Sequence, residues 1–117
     1  MREAEVVAAF ATWLEHDGWT VGPGPDRYLD LYATRAGDRL HVEAKGTTQE
    51  KGIDADVLWG QILRRMGEFG TPGARYAVVV PDTIKWHTLR VPAKLRALLG
   101  IEVYVVTKDG SVTRADA

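Results

Sequence analysis

The chain reads as an α/β domain: one mixed sheet with helices on both faces. Three observations predict it. Helical and alternating apolar periodicities succeed one another in the order helix, strands, helix, strand, helix, strand. Tyr76–Val80 is an unbroken apolar run, as expected of a strand buried on both faces. At 117 residues, 45% apolar and 26% charged, the chain has the size and composition of a single globular domain spanning residues 1–117.

Residues 2–17 form the first predicted helix, with Val6, Phe10, Trp13 and Leu14 on one face and Gly18 as its stop. A short strand is expected at Trp19–Val21, followed by a rigid connection through Gly22-Pro23-Gly24-Pro25. Tyr28–Thr34 and Leu40–Lys45 then alternate as strands of a hairpin that turns at Ala36-Gly37-Asp38. Gly46–Gly52 is polar and reads as a mobile loop. A second helix is predicted over 54–69, N-capped by Asp54, with Val57, Leu58, Gln61, Ile62 and Met66 at helical spacing. Gly70-Thr71-Pro72-Gly73 breaks it ahead of the buried strand. Ile84–Leu99 is helical with an interruption at Val91-Pro92. Ile101–Thr107 and Ser111–Arg114 make a last hairpin.

Composition excludes several classes. Without cysteine there are no disulfides and no thiolate metal sites. The N-terminus MREAEVV is charged rather than an apolar leader, and no apolar run approaches the ~20 residues of a membrane span, so a cytoplasmic protein is expected. Net charge is −1, yet Thr83–Ile101 carries four cations and no acid, leaving −5 on the remainder. That asymmetry suits a basic contact face beside an acidic patch able to hold a metal, and equally a solvated helical face.

The residues that spoil clean strands are the informative ones. In Leu40–Lys45, alternation sets Leu40, Val42 and Ala44 against His41, Glu43 and Lys45. An ionised group on a covered face costs several kcal/mol unless it is paired or binds a metal. On the neighbouring strand Asp30 points opposite to Leu29 and Leu31. Two paired strands thus each offer a carboxylate, one with a lysine two residues on. Phosphodiester hydrolysis fits this set. Close carboxylates repel, a hard divalent cation relieves the repulsion through oxygen ligands, and Lys45 can orient the attacking water or stabilise the phosphorane.

Asp30, then Glu43-Ala44-Lys45 thirteen residues on, then a helix carrying Gln61, resembles the PD-(D/E)xK nuclease superfamily with its restriction-endonuclease-like fold. The resemblance implies an α-β-β-β-α-β core and a DNA endonuclease dependent on Mg²⁺ or Mn²⁺. It implies Asp30, Glu43 and the Ala44 carbonyl as metal ligands, Lys45 as the catalytic lysine and Gln61 as a supporting catalytic residue. An N-terminal glutamate often joins such a site; Glu3 and Glu5 are both candidates, and helical phase favours Glu3. The literal Pro-Asp is Pro25-Asp26, but Asp26 is expected in the turn and Asp30 within the strand, so Asp30 is preferred.

Arg64, Arg65, Lys85, Arg90 and Lys94 are candidate phosphate contacts, and His41 shares the face of the site. The three histidines show no metal-ligand spacing, so zinc is not expected. Trp13 and Trp59 read as core, whereas Tyr28, Tyr32 and Trp86 could stack on unpaired bases. A chain this short leaves no room for a sequence-reading domain, so cleavage should be structure-directed or weakly sequence-specific, with a homodimer or a partner supplying recognition. Two other readings stay open: a catalytically silent nuclease-fold module that binds nucleic acid or protein, and an unrelated interaction domain in which the motif is accidental.

Overall fold

A computed structural model describes residues 1–115. Its six strands form one sheet in the order β1 (Thr20–Gly22), β2 (Leu31–Arg35), β3 (Asp38–Ala44), β4 (Ala74–Pro81), β5 (Ile101–Val106), β6 (Val112–Arg114). The three central strands run parallel and the outer pairings are antiparallel. Helix α1 (Glu3–His16) covers one face; α2 (Lys51–Arg64), a 3₁₀ turn (Asp82–Ile84), α3 (Lys85–Thr88) and α4 (Ala93–Leu99) belong to the other side. This is the α-β-β-β-α-β order of a restriction-endonuclease-like fold.

Strand alternation builds the two cores. Leu40, Val42, Ala44, Ala77 and Val79 pack against Val6, Phe10 and Leu14 of α1. The opposite phase, Tyr76, Val78, Val80, Val103 and Val105, packs against Leu58, Trp59 and Ile62 of α2. Glu43 belongs to this second phase, so it is a carboxylate on a strand face that α2 covers. The β2–β3 hairpin closes through Ala36 and Gly37, both at positive φ (49° and 88°), as a tight right-twisting turn requires. Trp13 is partly buried beside Phe10 and Tyr104, and Trp59 is buried, its indole N–H donating to the Thr88 carbonyl at 3.1 Å. Both are core residues, as expected.

β3 ends at Ala44, one residue short of the expected Lys45, and three further boundary shifts bear on the site. β1 is Thr20–Gly22, one residue later than predicted, because Trp19 N–H still bonds back to Leu14. β2 begins at Leu31, so Tyr28 and Asp30 lie in the preceding turn and bend rather than in a strand. α2 spans Lys51–Arg64 instead of 54–69, and Asp54 is not its N-cap. Asp54 is a buried residue of the first turn, and its carboxylate accepts the Thr48 N–H at 3.0 Å and the Thr48 hydroxyl at 2.8–2.9 Å. Those bonds tie down the segment expected to be a free loop. A further bond, from Thr47 N–H to the Met1 carbonyl at 2.9 Å, holds it to the start of α1.

Candidate functional site

The site lies at the C-terminal end of β3, where β2 has not yet begun. Leu31 pairs with Val42, so continuing the ladder would set Asp30 opposite Glu43. Side chains take over instead. Asp30 N–H donates to Glu43 Oε2 at 2.9 Å, and Ala44 N–H donates to Asp30 Oδ2 at 2.8 Å. Each carboxylate therefore satisfies a backbone donor on the other strand, which explains both the late start of β2 and the convergence of the two acids. Asp26, the rival aspartate, accepts the Tyr28 N–H and makes no bond to β3.

Glu43 is 1% exposed. Burial is the main reason its carboxyl is pushed up to about 7, with the Asp30 charge raising it further; the Asp30 N–H and the Arg65 guanidinium oppose the shift. A buried acid held against a second carboxylate is the environment that a hard cation relieves. Among the described residues no three His, Cys, Asp or Glu side chains gather as a ready-made cage. The donor set is two carboxylates at a strand end, which fits Mg²⁺ because that ion keeps several waters and needs only one or two carboxylates.

Lys45 follows directly on the strand, half-buried, its own N–H bonded to the Val79 carbonyl at 3.1 Å. Among the described residues its ammonium has no ion-pair partner within salt-bridge distance. The two N-terminal glutamates differ. Glu5 is occupied with Arg2, accepting its N–H at 3.0 Å and its Nε at 3.3 Å, so it does not join the site. Glu3 faces the site's charges: partial desolvation and then Asp30 raise its carboxyl, while Lys45 lowers it.

Gly46 is what allows that approach. A side-chain carbon there would fall 2.8 Å from the Arg2 carbonyl carbon and 2.9 Å from the Met1 oxygen, with Glu3 N closer still. All of these are backbone atoms that cannot step aside. Gly46→Ala is therefore expected to push the start of α1 off the β3 end, at a cost of about 1–3 kcal/mol as for other overpacked positions. Chemical denaturation checks it, and an unchanged midpoint would show that the approach is not tight.

Gln61 is half-buried on α2 and makes no side-chain hydrogen bond to Asp30, Glu43 or Lys45. The residue one turn on does reach the site. Arg65 stands with Nε 3.5 Å from Glu43 Oε1 and Nη1 3.8 Å from Asp26, with the Tyr28 ring 5.5 Å from its guanidinium carbon. Its Nε is buried without a well-aligned hydrogen-bond acceptor. The sequence placed Arg65 among phosphate contacts and missed this role, because no local spacing ties it to Glu43. Arg65→Gln should raise the Glu43 titration midpoint above about 7, since a cation that lowers it is removed. Carboxyl-detected NMR reads this directly, and a midpoint that stays in place would remove Arg65 from the site.

The other candidates are dispersed. His41 is built into the sheet, 3% exposed, stacked on Tyr76 at 5.0 Å and edge-on to Tyr32 at 5.2 Å, with Nδ1 3.2 Å from the Arg75 carbonyl. It is a packing residue, not a phosphate contact. Arg64 is exposed at the last residue of α2. Lys85, Arg90 and Lys94 are exposed on the α3–α4 segment, Arg90 lying 5.2 Å over the ring of the exposed Trp86.

Two solved structures share this fold. An XisH family protein from Nostoc punctiforme PCC 73102 aligns over 93% of this chain and 96% of its own, with TM-score 0.63 and 18% identity. An fdxN element excision controlling factor protein from Anabaena variabilis aligns over 94% and 96%, with TM-score 0.64 and 18% identity. At that identity the likeness is one of fold. No protein-family model and no curated protein matches the chain. Among the described residues no helix is long and apolar enough to cross a membrane.

Proposed function

We propose that this chain is a metal-dependent DNA endonuclease of the PD-(D/E)xK superfamily, structure-directed or weakly sequence-specific in its cleavage. The observation that carries the reading is the reciprocal clasp of Asp30 and Glu43, which sets two carboxylates together beside Lys45. The choice of DNA is supported by analogy with a structural neighbour named for controlling excision of an element.

Asp30 and Glu43, with the Ala44 carbonyl, would hold Mg²⁺ or Mn²⁺, and Glu3 would act through a bound water. Such an ion supplies Lewis acidity toward a phosphoryl oxygen and lowers the pKa of a coordinated water. The chain's own residues do the rest. Glu43 must be ionised to bind a cation, and the cation in turn stabilises that ionised form. Lys45 supplies a positive charge, uncommitted to any ion pair among the described residues, for the oxygen on which charge develops. Arg65 keeps Glu43 partly ionised before the cation arrives and anchors the Asp26–Tyr28 turn beside the site. Gln61 would support the site from α2. Lys85, Arg90 and Lys94 would meet the phosphate backbone along the cationic α3–α4 segment.

The test is cleavage of plasmid, single-stranded and branched DNA with Mg²⁺, Mn²⁺ or EDTA, beside Asp30→Ala. Metal-dependent products that vanish in the variant are expected. Binding without cleavage in every metal would instead favour the silent nuclease-fold module, a reading that the net charge of −1 suits.

A further inference from the structure

The outward face of α2 is apolar where a monomer would want polar residues. At 100° per residue, Ile53, Val57, Gly60 and Leu63 fall on one side of the helix, opposite the buried Ala55, Leu58 and Ile62. Ile53, Val57 and Leu63 are 58%, 41% and 52% exposed. Gly60 sits at the centre of that face, within the helix, where glycine is destabilising relative to alanine. Nothing in the protomer calls for it: its φ is not positive, and an added side-chain carbon would meet nothing within 4 Å. The patch continues across a cavity of about 410 Å³, lined by Gly52, Asp56, Trp59, His87, Arg90 and Leu95 among others, onto the exposed Leu95 of α4.

The charges on the same face are arranged about Gly60 as well. Asp56 lies four residues before it and Arg64 four residues after it, each about 6 Å along the axis at a rise of about 1.5 Å per residue. Both are exposed, and neither has an ion-pair partner among the described residues. When two copies of this helix pack antiparallel about a two-fold axis at Gly60, residue n comes level with residue 120 − n of the partner copy, so Asp56 meets the level of the other Arg64. Val57 likewise meets the level of the other Leu63. An isologous pair of this kind satisfies both charges twice over, and the glycine lets the backbones approach.

We infer that the outward face of α2 is a homodimer interface, with a second copy of this chain packed antiparallel across Gly60. The interface uses none of the residues at the β3 end, so its test reads self-association without any cleavage. An interface built on a single helix face is expected to be small, so a weak, concentration-dependent dimer of roughly micromolar affinity is expected.

Sedimentation equilibrium of the full chain from about 1 to 500 μM brackets that range. Asp56→Arg and Arg64→Asp should each weaken self-association by about tenfold or more, and the double variant should return to within about threefold of wild type. Gly60→Leu should leave the chain folded and monomeric. Gly60→Ala should weaken association while raising the melting temperature of the dilute protein. Asp56 and Arg64 are exposed and a side-chain carbon at Gly60 would meet nothing within 4 Å, and circular dichroism confirms that each variant folds. A chain that stays monomeric throughout the range overturns the inference. So does association indifferent to Gly60→Leu, or a double variant no better than either single one.

Discussion

Lys45→Ala is expected to reduce the rate of DNA cleavage by roughly 10²–10³-fold, the usual loss when one preorganised donor to a developing oxyanion is removed. Lys45 is suited to that role by what surrounds it. Its backbone is locked onto β4, its side chain is half-buried, and Glu3 feels its charge without pairing to it. Because no ion pair is lost, stability should change by no more than about 0.5 kcal/mol, as for a surface substitution. Affinity for DNA should fall little, since one phosphate contact among several is removed. Asp30→Ala differs in a useful way. It should abolish cleavage and also destabilise the fold, because the Ala44 N–H loses its acceptor at 2.8 Å. Single-turnover rates with both variants, read beside denaturation midpoints, separate the two roles. A Lys45→Ala protein that cleaves at the wild-type rate would remove the lysine from the mechanism.

The second large effect is on stability. Glu43 titrates at about 7 in the folded chain against an ordinary value of 4.5, chiefly because of burial. The folded state therefore binds its proton more tightly than the unfolded chain does. The stability this proton contributes is fully present below about 4.5 and is lost as pH rises through about 7. At 1.36 kcal/mol per unit, the loss is of the order of 3 kcal/mol at full extent. Glu43→Gln removes this dependence. Its amide oxygen can still accept the Asp30 N–H, and its amide nitrogen can donate to the Asp30 carboxylate. The metal-free variant should thus be more stable than wild type at pH 8 and nearly equal to it at pH 5. Millimolar Mg²⁺ should narrow the gap at pH 8 by stabilising only the wild type, since a ligand that binds the folded state alone raises its stability. Urea denaturation at the two pH values, with and without Mg²⁺, reads all of this. Equal pH dependence in the two proteins would show that Glu43 is not the strained acid of the site.

Much of the fold was legible because period and burial agree. Val6, Phe10 and Leu14 repeat at helical spacing and all three are buried under the sheet. Leu40, Val42 and Ala44 alternate with Glu43 in the sequence and in the two cores. At β2 and α2 the shifted boundaries share a cause: side chains replaced backbone partners. The turn and bend at Tyr28–Asp30 alternate like a strand, but Asp30 and Glu43 end the ladder by capping each other's strand. Asp54 looked like an N-cap because aspartate favours that position, yet it is buried and holds Thr48, and α2 begins three residues earlier. His41 shares a face with Glu43 in the pattern, but the neighbours that make it a packing residue, Tyr32 and Tyr76, come from two other strands.

The sequence by itself determined the order of elements, the face on which Glu43 lies and the presence of Lys45 at the end of that strand. These follow from local periodicity, which any chain of this pattern would carry. Pattern favoured Asp30 over Asp26 and Glu3 over Glu5, but only the tertiary structure supplies the contacts behind that choice. That choice rests on contacts between residues far apart in the chain. Gly46 admits the start of α1 to the end of β3, and Glu5 is turned away by Arg2. Arg65 comes to Glu43 from a helix twenty-two residues later, across a distance in sequence that no spacing rule spans. The raised carboxyl of Glu43 is likewise a tertiary property. A glutamate in a sequence has no pKa shift until α2 covers its strand and Asp30 is brought against it.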